Sequence, residues 1–146
     1  MVFEAASDVG GTWFYNRYPG ARCDVESIDY CYSFDKDLQQ EWTWTEKYAT
    51  QAEILTYINH VADRFDLRRD IRLNTRVVSA TLDEETLRWT VTTDTGQTVD
   101  AQFCVMATGA LSAAAVASLY GIDETSVSQH NHPLANAVKF SFPRKH

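Results

Sequence analysis

Apolar and polar residues follow three different rhythms along the chain, and each predicts a different element. Between residues 50 and 65, Ile54, Leu55, Ile58, Val61, Ala62 and Phe65 recur at three- and four-residue spacings, the stripe of a helix with one buried face. Thr50 and Glu53 form a T-x-x-E capping box, in which each side chain can satisfy a backbone N–H left open at the helix start. Between 71 and 106 the period is two. Leu87, Trp89, Val91 and Thr93 alternate with Arg88, Thr90 and Thr92, and Val99, Ala101, Phe103 and Val105 alternate again. Turn residues at 83–86 and 94–96 separate the runs, so an antiparallel meander over roughly 75–102 is predicted.

Two further runs read as buried strands, of which the one at 103–107 is apolar without a break. Phe103-Cys104-Val105-Met106-Ala107 reads as a strand buried on both faces, and Val2-Phe3-Glu4-Ala5-Ala6 as the end of another. The expectation is that 2–5 and 103–107 are neighbouring parallel strands, with the meander as a separate layer. Gly10-Gly11 predicts a turn. The fold class is therefore α/β. Residues 13–34 carry Trp13, Phe14, Tyr15, Tyr18, Tyr30, Tyr32 and Phe34 with neither period. They predict a long irregular segment whose aromatic density argues against disorder. Ser112 is the expected cap of a short helix at 113–120, stopped by Gly121. Residues 122–146 show no period and are expected to pack poorly.

Composition narrows the class of function. The 146 residues carry a formal charge of −7 with no basic stripe, which disfavours nucleic acid as a partner. Three cysteines without a C-x-x-C suggest reduced thiols in the cytoplasm, and neither a zinc site nor a disulfide framework. No apolar run approaches the roughly 20 residues of a membrane span, and no signal peptide is visible. His130 and His132 lack a third ligand and read as loop residues, so no metal is expected.

Candidate chemistry concentrates near the start. A carboxylate closing a strand, as Glu4 does before Gly10-Gly11, suits the two hydroxyls of a nucleotide ribose. By residue type alone, Glu4 could equally be a solvated side chain. Trp13, Tyr15 and Tyr18 could be core aromatics, Asp24 a turn residue and Cys23 an inert buried thiol.

The run Asp8-Val9-Gly10-Gly11-Thr12-Trp13-Phe14-Tyr15-Asn16-Arg17-Tyr18-Pro19-Gly20-Ala21-Arg22-Cys23-Asp24 resembles the signature of flavin-dependent Baeyer–Villiger monooxygenases of the cyclohexanone and phenylacetone monooxygenase type. The similarity continues through Val25 to Phe34, the Trp42-Thr43-Trp44 pair, the helix and the meander, to about Ser112. It implies part of the FAD-binding domain of a protein with two dinucleotide-binding domains, at 1–112, followed by an unmatched tail at 113–146. It also implies FAD and NADP as cofactors, and insertion of one oxygen atom of O2 beside a ketone carbonyl to give an ester or lactone.

By resemblance, Glu4 holds the FAD ribose. Gly11, Thr12, Trp13, Phe14 and Tyr15 form the loop along FAD, Tyr30 is a further flavin-domain contact, and Val77 meets the adenine end through its backbone. Arg22, Cys23 and Asp24 face NADP, with Asp24 nearest the flavin. Asp24 is the expected catalytic group, because a carboxylate can orient and keep charged the arginine that family members place beside the reacting oxygen.

No G-x-G-x-x-G occurs among these residues, whereas family members have two. With a start that falls inside a strand, this makes a piece of a monooxygenase, inactive alone, the expected reading. The alternatives are a non-catalytic or regulatory domain that kept the flavoprotein core, or one chain of a split enzyme.

Overall fold

The structure is a computed structural model and describes residues 1–108. The helix predicted at 113–120, the tail from 122 and the boundary at 112 lie outside the described residues. Two compact units divide the described residues: 1–77 with 92–98, and 78–91 with 99–108. In chain order the elements are β1 (Val2–Phe3), α1 (Thr12–Tyr15), α2 (Lys36–Glu41), α3 (Gln51–Arg64), β2 (Ile71–Arg72), β3 (Val77–Asp83), β4 (Arg88–Thr93) and β5 (Thr98–Ala101). Single 3₁₀ turns lie at Ser27–Tyr30 and Leu67–Asp70. No described helix is long and apolar enough to cross a membrane.

The first unit is built on α3. Thr50 caps it as expected, its hydroxyl accepting the Glu53 N–H at 3.4 Å. The capping box does not close, however. The Glu53 carboxylate instead accepts the Thr45 N–H at 2.7 Å and the Thr45 hydroxyl at 2.9 Å. Two bonds to a residue brought near by the fold replace the one local bond that the box offers.

Helix α3 buries Ile54, Tyr57, Val61 and Ala62, while Leu55, Ile58 and Phe65 are half-buried. The stripe is as predicted, except that its largest buried member is Tyr57, which the apolar pattern left out. Around the N-terminal half pack Cys23 and Ala49 with Trp13, Tyr30 and Trp44. Around the C-terminal half pack Leu38 with Trp42, Trp44 and Phe65.

The irregular aromatic segment is thus ordered by this helix. Tyr57 stacks on Tyr32 at 5.9 Å and lies 5.0 Å from Trp42 and 5.1 Å from Trp44, centroid to centroid. Helix α2 was not anticipated. Its cap is Asp35, whose carboxylate accepts the Leu38 N–H at 2.7 Å, and its single buried residue is Leu38.

Strand β1 pairs in parallel with β2, Val2 against Ile71 and Phe3 against Arg72. The pairing continues past the strand: the Glu4 N–H donates to the Arg72 carbonyl at 3.0 Å, and the Thr75 N–H to the Glu4 carbonyl at 2.9 Å.

The expected pairing of 2–5 with 103–107 is overturned. Residues 102–108 carry no strand, and Phe103 and Val105 are 79% and 89% exposed. An unbroken apolar run becomes a buried strand only where neighbouring strands and covering layers exist for it. None is formed for this run among the described residues, and the parallel neighbour of β1 is β2.

The meander holds. Strands β3, β4 and β5 form a separate three-stranded sheet in sequential order. Turns this short can join only antiparallel neighbours. Alternation is kept in β4, where Trp89, Val91 and Thr93 are more buried than Arg88 and Thr90. Leu87 departs from it. With φ of 56° it belongs to the turn, where the Asp83 carboxylate accepts the N–H groups of Glu85 and Thr86 at 2.9 and 3.2 Å, and its side chain is exposed.

Candidate functional site

The candidate cofactor-binding and catalytic residues, Glu4 to Val77, fall in the first unit. The loop leaving β1 reaches α3 at Gly10. A Cβ there would lie 2.5 Å from Leu55 Cδ1 and 3.2 Å from Phe14 Cβ, and φ is +126°. Only glycine lets the backbone rest on the helix in this conformation. Gly11, at φ +49°, then turns the chain into α1, whose N–H groups at Trp13, Phe14 and Tyr15 bond the Gly10 and Gly11 carbonyls at 2.9–3.1 Å.

This short turn sets the directions of Thr12, Trp13, Phe14 and Tyr15. Trp13 meets Tyr30 edge to face at 5.7 Å, and its carbonyl accepts the Gln51 side-chain amide. Arg17 donates to the Phe14 carbonyl at 2.7 Å and sits 4.7 Å over the Phe14 ring. Tyr15 and Tyr18 are exposed, so the core-aromatic reading fails for these two and holds for Trp13.

Arg22, Cys23 and Asp24 run past the start of α3. Arg22 bridges Thr50 in antiparallel sense, and the Cys23 N–H donates to the Ala49 carbonyl at 3.1 Å. The Cys23 thiol is buried and donates to the same carbonyl at 3.5 Å. Arg22 forms an exposed ion pair with Glu46 at 3.0 Å, which contributes little by itself. Asp24 is exposed. Burial, followed by the neighbouring Cys23 and Asp24, pushes the Tyr30 phenol above its usual value, so it stays protonated at neutral pH.

Glu4 follows β1 and Val77 opens β3. The half-buried Glu4 carboxylate accepts the Ala6 N–H through Oε1 at 2.7 Å, and its main chain holds Thr75, two residues before Val77. The fold therefore gathers Trp13, Cys23 and Tyr30 at the first half of α3, and leaves Glu4 just past β1 and Val77 at the start of β3. The glycine loop follows Glu4 in the chain.

Three contributors were not legible in the sequence. Gln51 and Leu55 support the loop from α3. Arg68, on the second 3₁₀ turn, binds Asp8 at the loop's start. No local spacing signals a partner sixty residues away. Arg68's hydrogen bond is the main cause holding the Asp8 carboxyl below its usual 3.8. The stabilisation is then present above 3.8 and is lost as pH falls through the lowered value. Exchange protection of the α1 amides, corrected for intrinsic rates, should be flat between about pH 7 and 5 and collapse only in stronger acid. Loss of protection already at pH 5 would contradict this pairing.

Residues 24–143 match the family described as pyridine nucleotide-disulphide oxidoreductase. A Baeyer–Villiger monooxygenase of Pseudooceanicola batsensis is 51% identical over 122 residues, 84% of this chain and 22% of that protein. The structure of an oxidised steroid monooxygenase bound to NADP superposes with a TM-score of 0.72 at 73% identity, over 73% of this chain and 20% of the other. That of OTEMO in complex with FAD and NADP gives 0.68 at 47% identity, over 73% and 20%. The chain thus spans about a fifth of the length of the proteins it matches.

Proposed function

Because the chain belongs to the pyridine nucleotide-disulphide oxidoreductase family, among its Baeyer–Villiger monooxygenases, we propose that it forms part of the FAD-binding domain of an FAD- and NADPH-dependent oxygenase acting on a ketone. The product is an ester or lactone, with one oxygen atom of O2 inserted beside the carbonyl. The observation that carries the reading is the loop from Asp8 to Tyr15. It rests on α3 at a glycine where no Cβ fits, and it brings Trp13 against Tyr30. Close backbone approach with an aromatic wall suits a flat, ring-bearing cofactor.

In this reading Glu4 holds the ribose, using the carboxylate oxygen that does not bond Ala6. Gly11, Thr12, Trp13, Phe14 and Tyr15 lie along the FAD, with Tyr30 behind Trp13, and Val77 meets the adenine end through its backbone. Arg22, Cys23 and Asp24 face NADP, and the Asp24 carboxylate orients the arginine beside the reacting oxygen. Bound FAD supplies the electron transfer from NADPH to O2 that no side chain here can provide. The compartment is the cytoplasm, where Cys23, Cys31 and Cys104, all unpaired, remain thiols.

A chain limited to these 146 residues is inactive in this proposal. They contain no glycine-rich turn to place helix N–H groups against a pyrophosphate. The experiment is a chimera in which residues 1–108 replace the matching segment of the steroid monooxygenase. It should retain yellow flavin through gel filtration and oxidise NADPH in the presence of a ketone, whereas the 146-residue chain should do neither. A folded chimera without flavin would refute the assignment. Stoichiometric flavin on the short chain would refute its expected inactivity.

A further inference from the structure

Arg68 joins three parts of the first unit. Its Nη1 pairs with Asp8 at the head of the glycine loop, its Nε donates to Asp63 on α3 at 2.7 Å, and its Nη2 donates to Asn59 one turn earlier on the same helix. The same Asp8 oxygen, Oδ1, also accepts the Val9 N–H at 2.7 Å. The guanidinium side chain is about one-third exposed at 34%. Its fork reaches a carboxylate on the loop and two acceptors on the helix at once, which a lysine's single point charge cannot reproduce. Two and three residues beyond Asp8, at Gly10 and Gly11, the backbone has positive φ and turns into α1. A small displacement at Asp8 is therefore passed to Trp13 and Phe14 without a straight element to absorb it.

We infer that Arg68 is a positioning residue: it clamps the Asp8–Gly11 loop to α3 and so sets where Trp13 and Phe14 stand for a flavin. The flavin half of this inference rests on the function proposed above; the clamp half does not. The lowered Asp8 carboxyl and the raised Arg68 guanidinium agree with the pairing.

Two measurements separate the halves. In the 146-residue chain, Arg68→Met and Asp8→Asn should each speed exchange of the Trp13, Phe14, Tyr15 and Asn16 amides by roughly three- to tenfold. The α3 amides from Ile54 to Val61 should be unchanged, as in an Arg69→Met control, because among the described residues Arg69 pairs only with exposed Asp66 and Asp70. Asp8→Asn leaves Arg68's bonds to α3 intact, so a folding defect at the 3₁₀ turn cannot produce its effect. Unchanged loop exchange in Asp8→Asn, or equal acceleration throughout the unit, overturns the clamp.

In the chimera, Arg68→Met should weaken flavin retention by a similar factor at an unaltered melting temperature of the apoprotein, with Arg68→Lys recovering only part. Flavin binding unaffected by Arg68→Met overturns the positioning role. A chimera that binds no flavin even with Arg68 present fails the proposed function and leaves the exchange result to stand or fall separately.

Discussion

Replacing Tyr57 with alanine should cost about 3–5 kcal/mol, the largest loss expected from any single truncation in the first unit. The ring is 1% exposed and lies against Tyr32, Trp42 and Trp44, so its removal opens a void lined by large rigid groups that cannot collapse inward. Its hydroxyl also accepts the Tyr32 N–H at 2.9 Å. Tyr57→Phe keeps the packing and gives up only this bond, so about 1 kcal/mol is expected. Against a total of about 5–15 kcal/mol for a domain, the alanine variant should unfold in much lower urea, and the phenylalanine variant only slightly earlier. Equal midpoints for the two variants would mean that the hydroxyl, and not the ring, is what the aromatic cluster depends on.

Gly10→Ala should be the second severe change, at roughly 2–4 kcal/mol. Two costs add. The residue must hold φ of +126°, closed to any side chain, and its methyl must fit between Leu55 and the backbone and Cβ of Phe14. Leu55 can swing aside, whereas the Phe14 backbone cannot. Gly11→Ala separates the costs, because φ there is +49° and nothing lies within 4 Å of a Cβ. About 1–2 kcal/mol from the left-handed backbone alone is expected. Adding Leu55→Ala to Gly10→Ala should recover part of the loss, a coupling that thermal or urea melts of the four variants would measure. In the chimera, Gly10→Ala should also lose flavin more completely than Gly11→Ala. The reverse order would place the cofactor's closest approach at Gly11.

What could be read from the chain beforehand divides by the range of the interaction. Helix α3 and the meander are local patterns, a stripe behind a capping threonine and an alternation between turns, and both formed where expected. Tyr57 escaped because a tyrosine does not count as apolar in a stripe, although here its ring is core and its hydroxyl finds a backbone donor. Helix α2 escaped because six residues, Lys36–Glu41, are too short to show a period, and Asp35 is an ordinary aspartate until its bond to Leu38 is seen.

Glu53 and Leu87 were misjudged for a related reason. The Glu53 carboxylate serves Thr45, eight residues back, and Leu87 yields its place in the alternation to a turn fixed by Asp83. The run at 103–107 shows the limit most clearly, since apolar character states that a segment should be covered and says nothing about what covers it. Of the site, the residues of the loop and their neighbours are legible through resemblance. Their supports Gln51, Leu55 and Arg68 needed the fold.

That same run has a colloidal consequence. Phe103, Val105 and Met106 present an uncharged, β-favouring stretch to water, and no proline interrupts it. Such a stretch on two molecules can pair edge to edge. What opposes the encounter is the net charge of −7, a repulsion that reaches only about 10 Å at 0.1 M salt and vanishes near the isoelectric point of 4.9. The solubility of these residues is therefore set by their acidic surface, and buffers of low ionic strength well above that pH are the conditions in which the molecules stay apart.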